Sequence, residues 1–483
     1  MNTKKKTYSK AMQAKRKNFY HNPKKSSDIK PGMEIPLKIK RLGINGEGIG
    51  YYQRTICFIK GALPGEKVVA LVNEVHPRFI TGEIKKIKQV SPHRVAPIDS
   101  YADEVGGFEL EHLDYESQLK FKTDVIKQSL AKFRPKGYEK YKLLPTIGMK
   151  NPYEYRNKAQ FQVRQTSTGT IEAGLYKEGT HDLVDLKTCS VQHPLTMKII
   201  RKAVELFEKY HISIYNERKN IGSLKTIVVR VAEATNETQV VFISNTGKIE
   251  NINKVIADLS DDFPEIVSFM QNVNKGRESL IWGDKTFKLS GNDVIHEKLD
   301  GLSFNLSARA FFQLNPKQTS VLYKEARKAL QLSPNDNLID AYCGVGTIGL
   351  SLAKQAKEVR GMDTIGTAIQ DANMNAKENG IENAHFETGT AEKIMPKWIK
   401  NGFKPDSLVV DPPRVGLDQK LIKTILATKP KHFAYVSCNP STLARDLVEL
   451  VKKYNVEYIQ SIDMFPQTAR VEAVVKLVLR ENK

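Results

Sequence analysis

The hydrophobic rhythm of the chain changes along its length. Between residues 31 and 92, short apolar runs such as Ile35-Pro-Leu-Lys-Ile-Lys40 and Val68-Val-Ala-Leu-Val72 are separated by glycine-rich corners, Gly43-Ile-Asn-Gly-Glu-Gly-Ile-Gly50 and Gly61-Ala-Leu-Pro-Gly65. Short strands broken at glycines predict an all-β module. Five of them predict a small OB-like barrel, a fold whose face often takes oligonucleotides. Residues 93–300 are mixed: the spacing predicts a helix over Tyr115–Phe133 and strands at Ala159–Val163, Thr226–Arg230 and Gln239–Ile243. From residue 301 to 483 strand and helix alternate. The predicted strands are Asn337–Ala341, Glu358–Asp363, Ser407–Asp411 and His432–Ser437, with helices Thr347–Gln355, Ile365–Asn379 and Gln419–Thr428 between them. That alternation predicts a parallel, doubly wound α/β sheet. Its end differs, because Tyr458–Met464 and Val471–Leu479 are two strands without a helix between them, which predicts an antiparallel hairpin.

Composition narrows the class. The 483 residues carry a net charge of +21, and residues 1–30 alone hold ten Lys/Arg against one acid, Asp28. Such a tail is expected to be disordered and to be drawn to phosphates. A polyanionic partner, nucleic acid, is expected for the whole chain. An anionic membrane is disfavoured because no apolar face accompanies the charge. No apolar run is long enough to span a bilayer and no secretory signal opens the chain, so a cytoplasmic protein is expected. The four cysteines, Cys57, Cys189, Cys343 and Cys438, are scattered without a CxxC pair, which excludes a disulfide framework and a cysteine-rich zinc ribbon.

Three motifs at strand ends carry candidate chemistry. Asp340-Ala-Tyr-Cys-Gly344-Val-Gly346-Thr-Ile-Gly349 follows a predicted strand and opens a helix, so its glycines let a ligand approach the backbone at a helix start. Asp363, at the end of the next strand, is placed to accept hydrogen bonds from a ribose diol. By itself the loop also fits NAD, or a tight turn with no ligand. Val409-Val-Asp411-Pro-Pro-Arg414 ends another strand, and its two prolines hold the exit rigid. Tyr435-Val-Ser-Cys438-Asn-Pro440 places a thiol before a helix start, where a thiolate is favoured. A buried structural cysteine is the alternative, and Cys343 and Cys57 are expected to be packing residues. Glu472, in Arg470-Val-Glu472-Ala-Val between the last two strands, is a possible general base if burial tunes it.

Together these motifs resemble the RNA (uracil-5-)-methyltransferase family, and most of all its TRAM-bearing branch that acts on 23S ribosomal RNA. The barrel pieces Gly46-Glu-Gly48, Phe58, Ala62-Leu-Pro-Gly65-Glu66 and Pro92-His-Arg94 are similar to a TRAM domain. Ala310-Phe-Phe-Gln313-Leu-Asn315-Pro, Tyr155-Arg-Asn157 and Gly174-Leu-Tyr176 are further landmarks. The resemblance implies a class I, Rossmann-like methyltransferase domain (301–483) after an OB-like TRAM barrel (31–92) and a mixed α+β central domain (93–300). The antiparallel C-terminal hairpin is a habit of class I methyltransferases. It implies S-adenosylmethionine as cofactor, bound by Gln313, Tyr342, Asp363 and Asp411, with Cys438 as nucleophile and Glu472 as base. The implied product is 5-methyluridine. A tRNA uridine is the alternative substrate, and a monomer is expected.

The chain departs from the family in two places. Many relatives hold a four-cysteine iron–sulfur cluster after the barrel, but Tyr101–His112 contains no cysteine and Cys189 stands alone. No iron–sulfur cluster and no metal are therefore expected, and polar or apolar packing should fill the place. Pro466-Gln-Thr-Ala-Arg-Val-Glu472 also differs from the usual proline- and histidine-containing approach to the base. An NAD-linked oxidoreductase gives no role to Asp411-Pro-Pro or Cys438. A non-catalytic RNA-binding protein gives none to Cys438, Glu472 and the glycine loop together.

Overall fold

The computed structural model describes residues 29–275 and 280–481, so the basic tail lies outside the described residues except for its last two positions. The chain forms two compact units, one ending at Arg94 and one beginning at Val95.

In the first unit, Glu34–Lys38 alternates exposed and buried positions, sending Ile35 and Leu37 inward. It pairs antiparallel with Lys67–Val75, while its continuation Arg41–Leu42 pairs with Gly48–Tyr52. One interrupted strand thus hydrogen-bonds to both edges of the sheet, whose order continues through Phe79–Gln89 and Thr55–Lys60. This closes a barrel and removes its free edges. Counted this way the five expected strands are present; the break at Ile39–Lys40 makes them six segments. The core includes Ile35, Ile39, Cys57, Ile59, Val68, Val72 and Ile80. Glu66 is wholly buried and receives Leu63 N (2.8 Å) and Arg94 Nε (2.7 Å). Arg94 also donates to Gly61 O (2.6 Å). Two pieces of sequence that looked like separate landmarks are therefore one ion pair, its carboxylate buried and its guanidinium half-buried.

The second unit contains two large sheets. A seven-stranded sheet has the order Leu183–Asp185, Ile171–Tyr176, Lys158–Gln165, Leu224–Val231, Thr238–Ser244, Ile266–Val273, Lys285–Gly291. Helices Pro194–Lys209 and Ile252–Asp262 share a core with one of its faces through Ile199, Ala203, Phe207, Val255 and Leu259. An eight-stranded sheet has the order Ala384–Thr388, Glu358–Asp363, Asn337–Ala341, Ser407–Val410, His432–Ser437, Glu472–Leu479, Tyr454–Ile462, Leu143–Ile147. Its first five strands are parallel and Glu472–Leu479 runs antiparallel to both neighbours. The doubly wound sheet with a C-terminal antiparallel hairpin is present as expected.

The division expected at residue 300 is crossed. Leu143–Ile147 pairs parallel with Tyr454–Ile462, and helix Tyr115–Phe133 packs on that strand and on Pro440–Leu450. Residues read as part of the central domain thus complete the sheet that follows it in sequence. The strand carries Pro145, which an edge position tolerates because one side needs no donor. Among the described residues, no helix is long and apolar enough to cross a membrane.

Candidate active site

The five neighbouring parallel strands of the eight-stranded sheet all end at one edge, the position where open α/β sheets bind ligands. The loop after Asn337–Ala341 turns sharply: Tyr342, Gly344 and Gly346 all take positive φ, 66°, 54° and 82°. Tyr342 N and Cys343 N both donate to Met362 O, at 3.0 and 3.1 Å. A Cβ on Gly346 would lie 2.9 Å from the Phe386 ring, whereas one on Gly344 would meet nothing within 4 Å. Gly346 is thus required by packing, and Gly344 faces open space. A cleft of about 380 Å³, including its open mouth, is lined by Gln313, Tyr342, Gly344, Thr347 and Asp411. Three of the four residues expected to bind cofactor share it.

Asp363 does not line this cleft but braces it: its Oδ2 accepts from Gly344 N (3.1 Å) and its Oδ1 from Ile365 N (3.0 Å). Asp340, quoted in the glycine-loop motif without a role, is fully buried beneath the loop and accepts from Gly349 N (2.7 Å). Burial, reinforced by Asp411 and Asp363, pushes its carboxyl up to about 7. The far wall is held by Asn157, which donates from its backbone to Leu314 O (2.9 Å) and from its side chain to Gln313 O (3.4 Å). The Tyr155-Arg-Asn157 landmark thereby fixes the backbone that carries Gln313.

Sheet register brings Cys438 and Glu472 together. Ser437 pairs with Ala473 across antiparallel strands, so the next position outward on each is Cys438 and Glu472. Ser407–Val410 runs beside His432–Ser437 in parallel and delivers Asp411 to the same edge. Cys438 is half-buried, while Cys57, Cys189 and Cys343 are buried. Glu472 is 7% exposed.

The electrostatics correct one expectation. A helix start was expected to favour the thiolate, yet the Cys438 thiol is pushed up to about 12, first by burial and then by the charges of Glu472 and Asp411. The sulfur precedes the cap, Asn439, whose side chain already receives Ser441 N (3.1 Å). Two nearby acids and partial burial therefore outweigh the helix. Glu472 is itself raised well above the carboxylate range by burial and Asp411, with Arg414 and Lys122 opposing. Burial lifts Asp411 to about 6.

Arg414 was quoted in the motif without a role; the structure makes it a cation common to Cys438 and Glu472. Its carbonyl is held by Asn439 Nδ2 (2.9 Å) and Thr442 Oγ1 (3.1 Å), and Leu417 N donates to Asp446 Oδ2 (2.8 Å). Gly416 has φ 78°, and a Cβ there would sit 2.6 Å from Asp446 Oδ2.

Around Cys189 lies a hydrogen-bonded polar cluster. Tyr101 Oη donates to Asp99 Oδ1 (2.9 Å), and Ser190 Oγ to Asp99 Oδ2 (2.6 Å) and Glu111 Oε1 (3.3 Å). Burial and Asp99 push Glu111 up to about 7. Among the described residues, no three His, Cys, Asp or Glu side chains are grouped to hold a metal ion.

The profile of the family described as tRNA (Uracil-5-)-methyltransferase matches residues 114–480, and that of the TRAM domain matches residues 29–85. A protein of Lactiplantibacillus plantarum named as an RNA methyltransferase is 59% identical over 457 residues, 95% of each chain. One of Enterococcus faecalis with the same designation is 54% identical over 93% of this chain and 98% of its own. Among solved structures, the tRNA (uracil-54, C5)-methyltransferase of Pyrococcus abyssi in complex with S-adenosyl-L-homocysteine superimposes with a TM-score of 0.72. It is 28% identical and covers 92% of this chain and 99% of its own.

Proposed function

Because the chain belongs to the tRNA (uracil-5-)-methyltransferase family and carries a TRAM domain, we propose that it methylates uridine C5 in RNA through a covalent Cys438–C6 adduct, with Glu472 as the base. The protein is an S-adenosylmethionine-dependent RNA methyltransferase of class I fold. The cleft fits that cofactor: Gln313, Tyr342 and Asp411 line it, Asp363 braces the loop beside it, and Gly344 leaves room where a Cβ would stand. When bound, S-adenosylmethionine supplies an electrophilic methyl group.

Uracil C5 is a weak nucleophile, and the residues at the sheet edge answer that difficulty. Sulfur of Cys438 adds to C6, the C5–C6 π electrons shift toward O4, and C5 becomes carbanion-like. As sulfur adds, the thiol proton leaves to solvent, and the charge of Arg414 opposes the burial and the two carboxylates that hold the Cys438 thiol up. After C5 has taken the methyl group, Glu472 removes the C5 proton. The C–H electrons re-form the C5–C6 double bond, and the C6–S bond breaks with its electrons returning to sulfur. The target base must leave its stack or be single-stranded to reach this edge.

The observation that carries this reading is the register that sets Cys438 against Glu472 at the edge that also carries Asp411. The TRAM-bearing branch the sequence resembles favours 23S ribosomal RNA as substrate, acted on by a cytoplasmic monomer. The likeness to a Pyrococcus abyssi enzyme named for tRNA uracil-54 favours tRNA as a second reading. Mapping 5-methyluridine in both RNAs from a deletion strain complemented with wild type or Cys438→Ala tests the proposal. A 5-methyluridine that vanishes on deletion should return with wild type only. Restoration by Cys438→Ala would refute the nucleophile, and an unchanged methylation map would refute the activity.

A further inference from the structure

Helix Tyr115–Phe133 buries an apolar stripe of Phe121, Val125, Ile126 and Leu130, yet the same stripe carries Gln118 and Lys122. Lys122 is completely buried. An ammonium in that position costs several kcal/mol unless it is well paired, and a packed apolar side chain would often be at least as stable. Its presence therefore asks for a role beyond stability.

Its partners all lie on the approach to Glu472. Lys122 Nζ forms an ion pair with Asp463 Oδ1 and donates to Phe465 O (2.9 Å). Tyr115 Oη donates to the other Asp463 oxygen (2.9 Å). Gln318 Nε2 donates to Asp463 O (2.9 Å), Asn315 Nδ2 to Met464 O (3.0 Å) and Tyr155 Oη to Pro466 O (2.9 Å). Gln118 and Gln467 pair reciprocally, Gln118 Nε2 to Gln467 Oε1 (2.8 Å) and Gln467 N to Gln118 Oε1 (3.1 Å). Each of the five residues from Asp463 to Gln467 is thus tied by a side chain from outside the segment. Gln467 holds a positive φ of 69°, a conformation that needs such restraint. Five residues later the chain enters its last strand at Glu472.

We propose that Lys122 is a positioning residue for proton abstraction: its buried pair with Asp463 fixes the turn that aims Glu472, and its charge steadies the carboxylate that must receive the C5 proton. The groups that face Glu472 electrostatically are Asp411, Arg414, Lys122 and Cys438. Of the two cations, Arg414 rides an exposed loop while Lys122 is interior and fixed. The role belongs to the elimination step: Glu472 takes the proton, the C–H pair becomes the C5–C6 double bond, and the C6–S pair returns to Cys438. Addition of the thiol to C6 does not need it. This inference rests on Glu472 being the base.

The test compares two RNAs of the same sequence, one with uridine and one with 5-fluorouridine at the target. Fluorine replaces the proton the base would remove, so with that RNA the reaction stops at the covalent adduct. Lys122→Met/Asp463→Leu removes both charges and keeps an apolar contact; Lys122→Gln/Asp463→Asn keeps hydrogen bonds and serves if the first pair does not fold, with S-adenosylmethionine binding as the check of fold. The folded variant should form the 5-fluorouridine adduct at the wild-type rate. With uridine, turnover should fall roughly 10²-fold, the scale of a misplaced general base, and covalent protein–RNA should accumulate. Without the cation Glu472 holds its proton to higher pH, so the acidic limb of the turnover profile should move upward. Wild-type turnover with an unmoved profile, or equal loss of adduct formation and turnover, would overturn the inference. Glu472→Gln is the control: if it accumulates no adduct on uridine, the base assignment fails. If it does and the Lys122 variants do not, only the role of Lys122 fails.

Discussion

Cys438 and Glu472 stand one position beyond the Ser437–Ala473 pair, at the open ends of two antiparallel strands. Facing Cα atoms in such a ladder lie about 4.5–5.5 Å apart, so a planar base entering between the side chains would meet sulfur and carboxylate at once. The expected consequence is a separation of steps. Glu472→Gln should still form the bond to C6 and fail to release it, giving a protein–RNA band that survives denaturation. Normal turnover by this variant, with no such band, would remove Glu472 from the base role.

The free thiol should be sluggish. Its acidity is suppressed to about 12, by burial and by two carboxylates, and only the thiolate is a nucleophile. Alkylation of Cys438 by iodoacetamide, followed by mass spectrometry, should be slow at pH 7 and climb steadily through pH 10. Glu472→Gln and Asp411→Asn each remove negative charge, which lowers the thiol pKa, so both should alkylate faster at a given pH. A fast reaction at pH 7 in the wild-type protein would show that the helix start dominates after all.

Much of this site was legible before the fold was known, because strand ends and glycine loops announce themselves by pattern. Asn337–Ala341, Glu358–Asp363 and His432–Ser437 have the bounds their apolar runs imply, and each leads into a residue of the site. The two edge strands of the same sheet, Ala384–Thr388 and Leu143–Ile147, were not legible. One alternates with exposed His385 and half-buried Glu387, the other contains Pro145, and edges tolerate both. Helix Ala391–Lys400 was hidden by Pro396 within it. The acidity of Cys438 was misjudged for a different reason. Its neighbours Asp411 and Glu472 are distant in sequence, and no local pattern reports a sum of charges assembled by register.

Two glycines of one loop should respond differently to the same substitution. Gly346→Ala drives a methyl into Phe386 at 2.9 Å and strains a φ of 82°, so it should lower the melting temperature clearly, by an amount equivalent to about 1–3 kcal/mol. Gly344→Ala meets no protein atom, and its strain at φ 54° is the milder αL cost of roughly 1–2 kcal/mol. Gly344 lines the candidate cofactor cleft, so S-adenosylmethionine affinity, read by calorimetry, should fall disproportionately to stability. Equal affinity in Gly344→Ala and wild type would mean the cofactor does not pass that loop.

The Glu66–Arg94 pair should govern the acid stability of the barrel. Burial raises the Glu66 carboxyl, but hydrogen bonds and the charge of Arg94, with backbone donors from Leu63 and Ser91, bring it below its ordinary value. A carboxyl lowered on folding contributes stability above the unfolded pKa of about 4.3 and loses it as pH falls through the folded value. Breaking the pair from one side leaves an uncompensated buried charge and costs about 3–5 kcal/mol. Both tryptophans, Trp282 and Trp398, lie outside this unit, so their fluorescence is a poor reporter. Hydrogen exchange in Thr55–Lys60 and Lys67–Val75 reads the barrel directly. Arg94→Ala should accelerate exchange there at pH 7, and Glu66→Gln should flatten the loss of protection that wild type shows below pH 4. Protection in Arg94→Ala equal to wild type would mean that the barrel is held by its closed strand pairing alone.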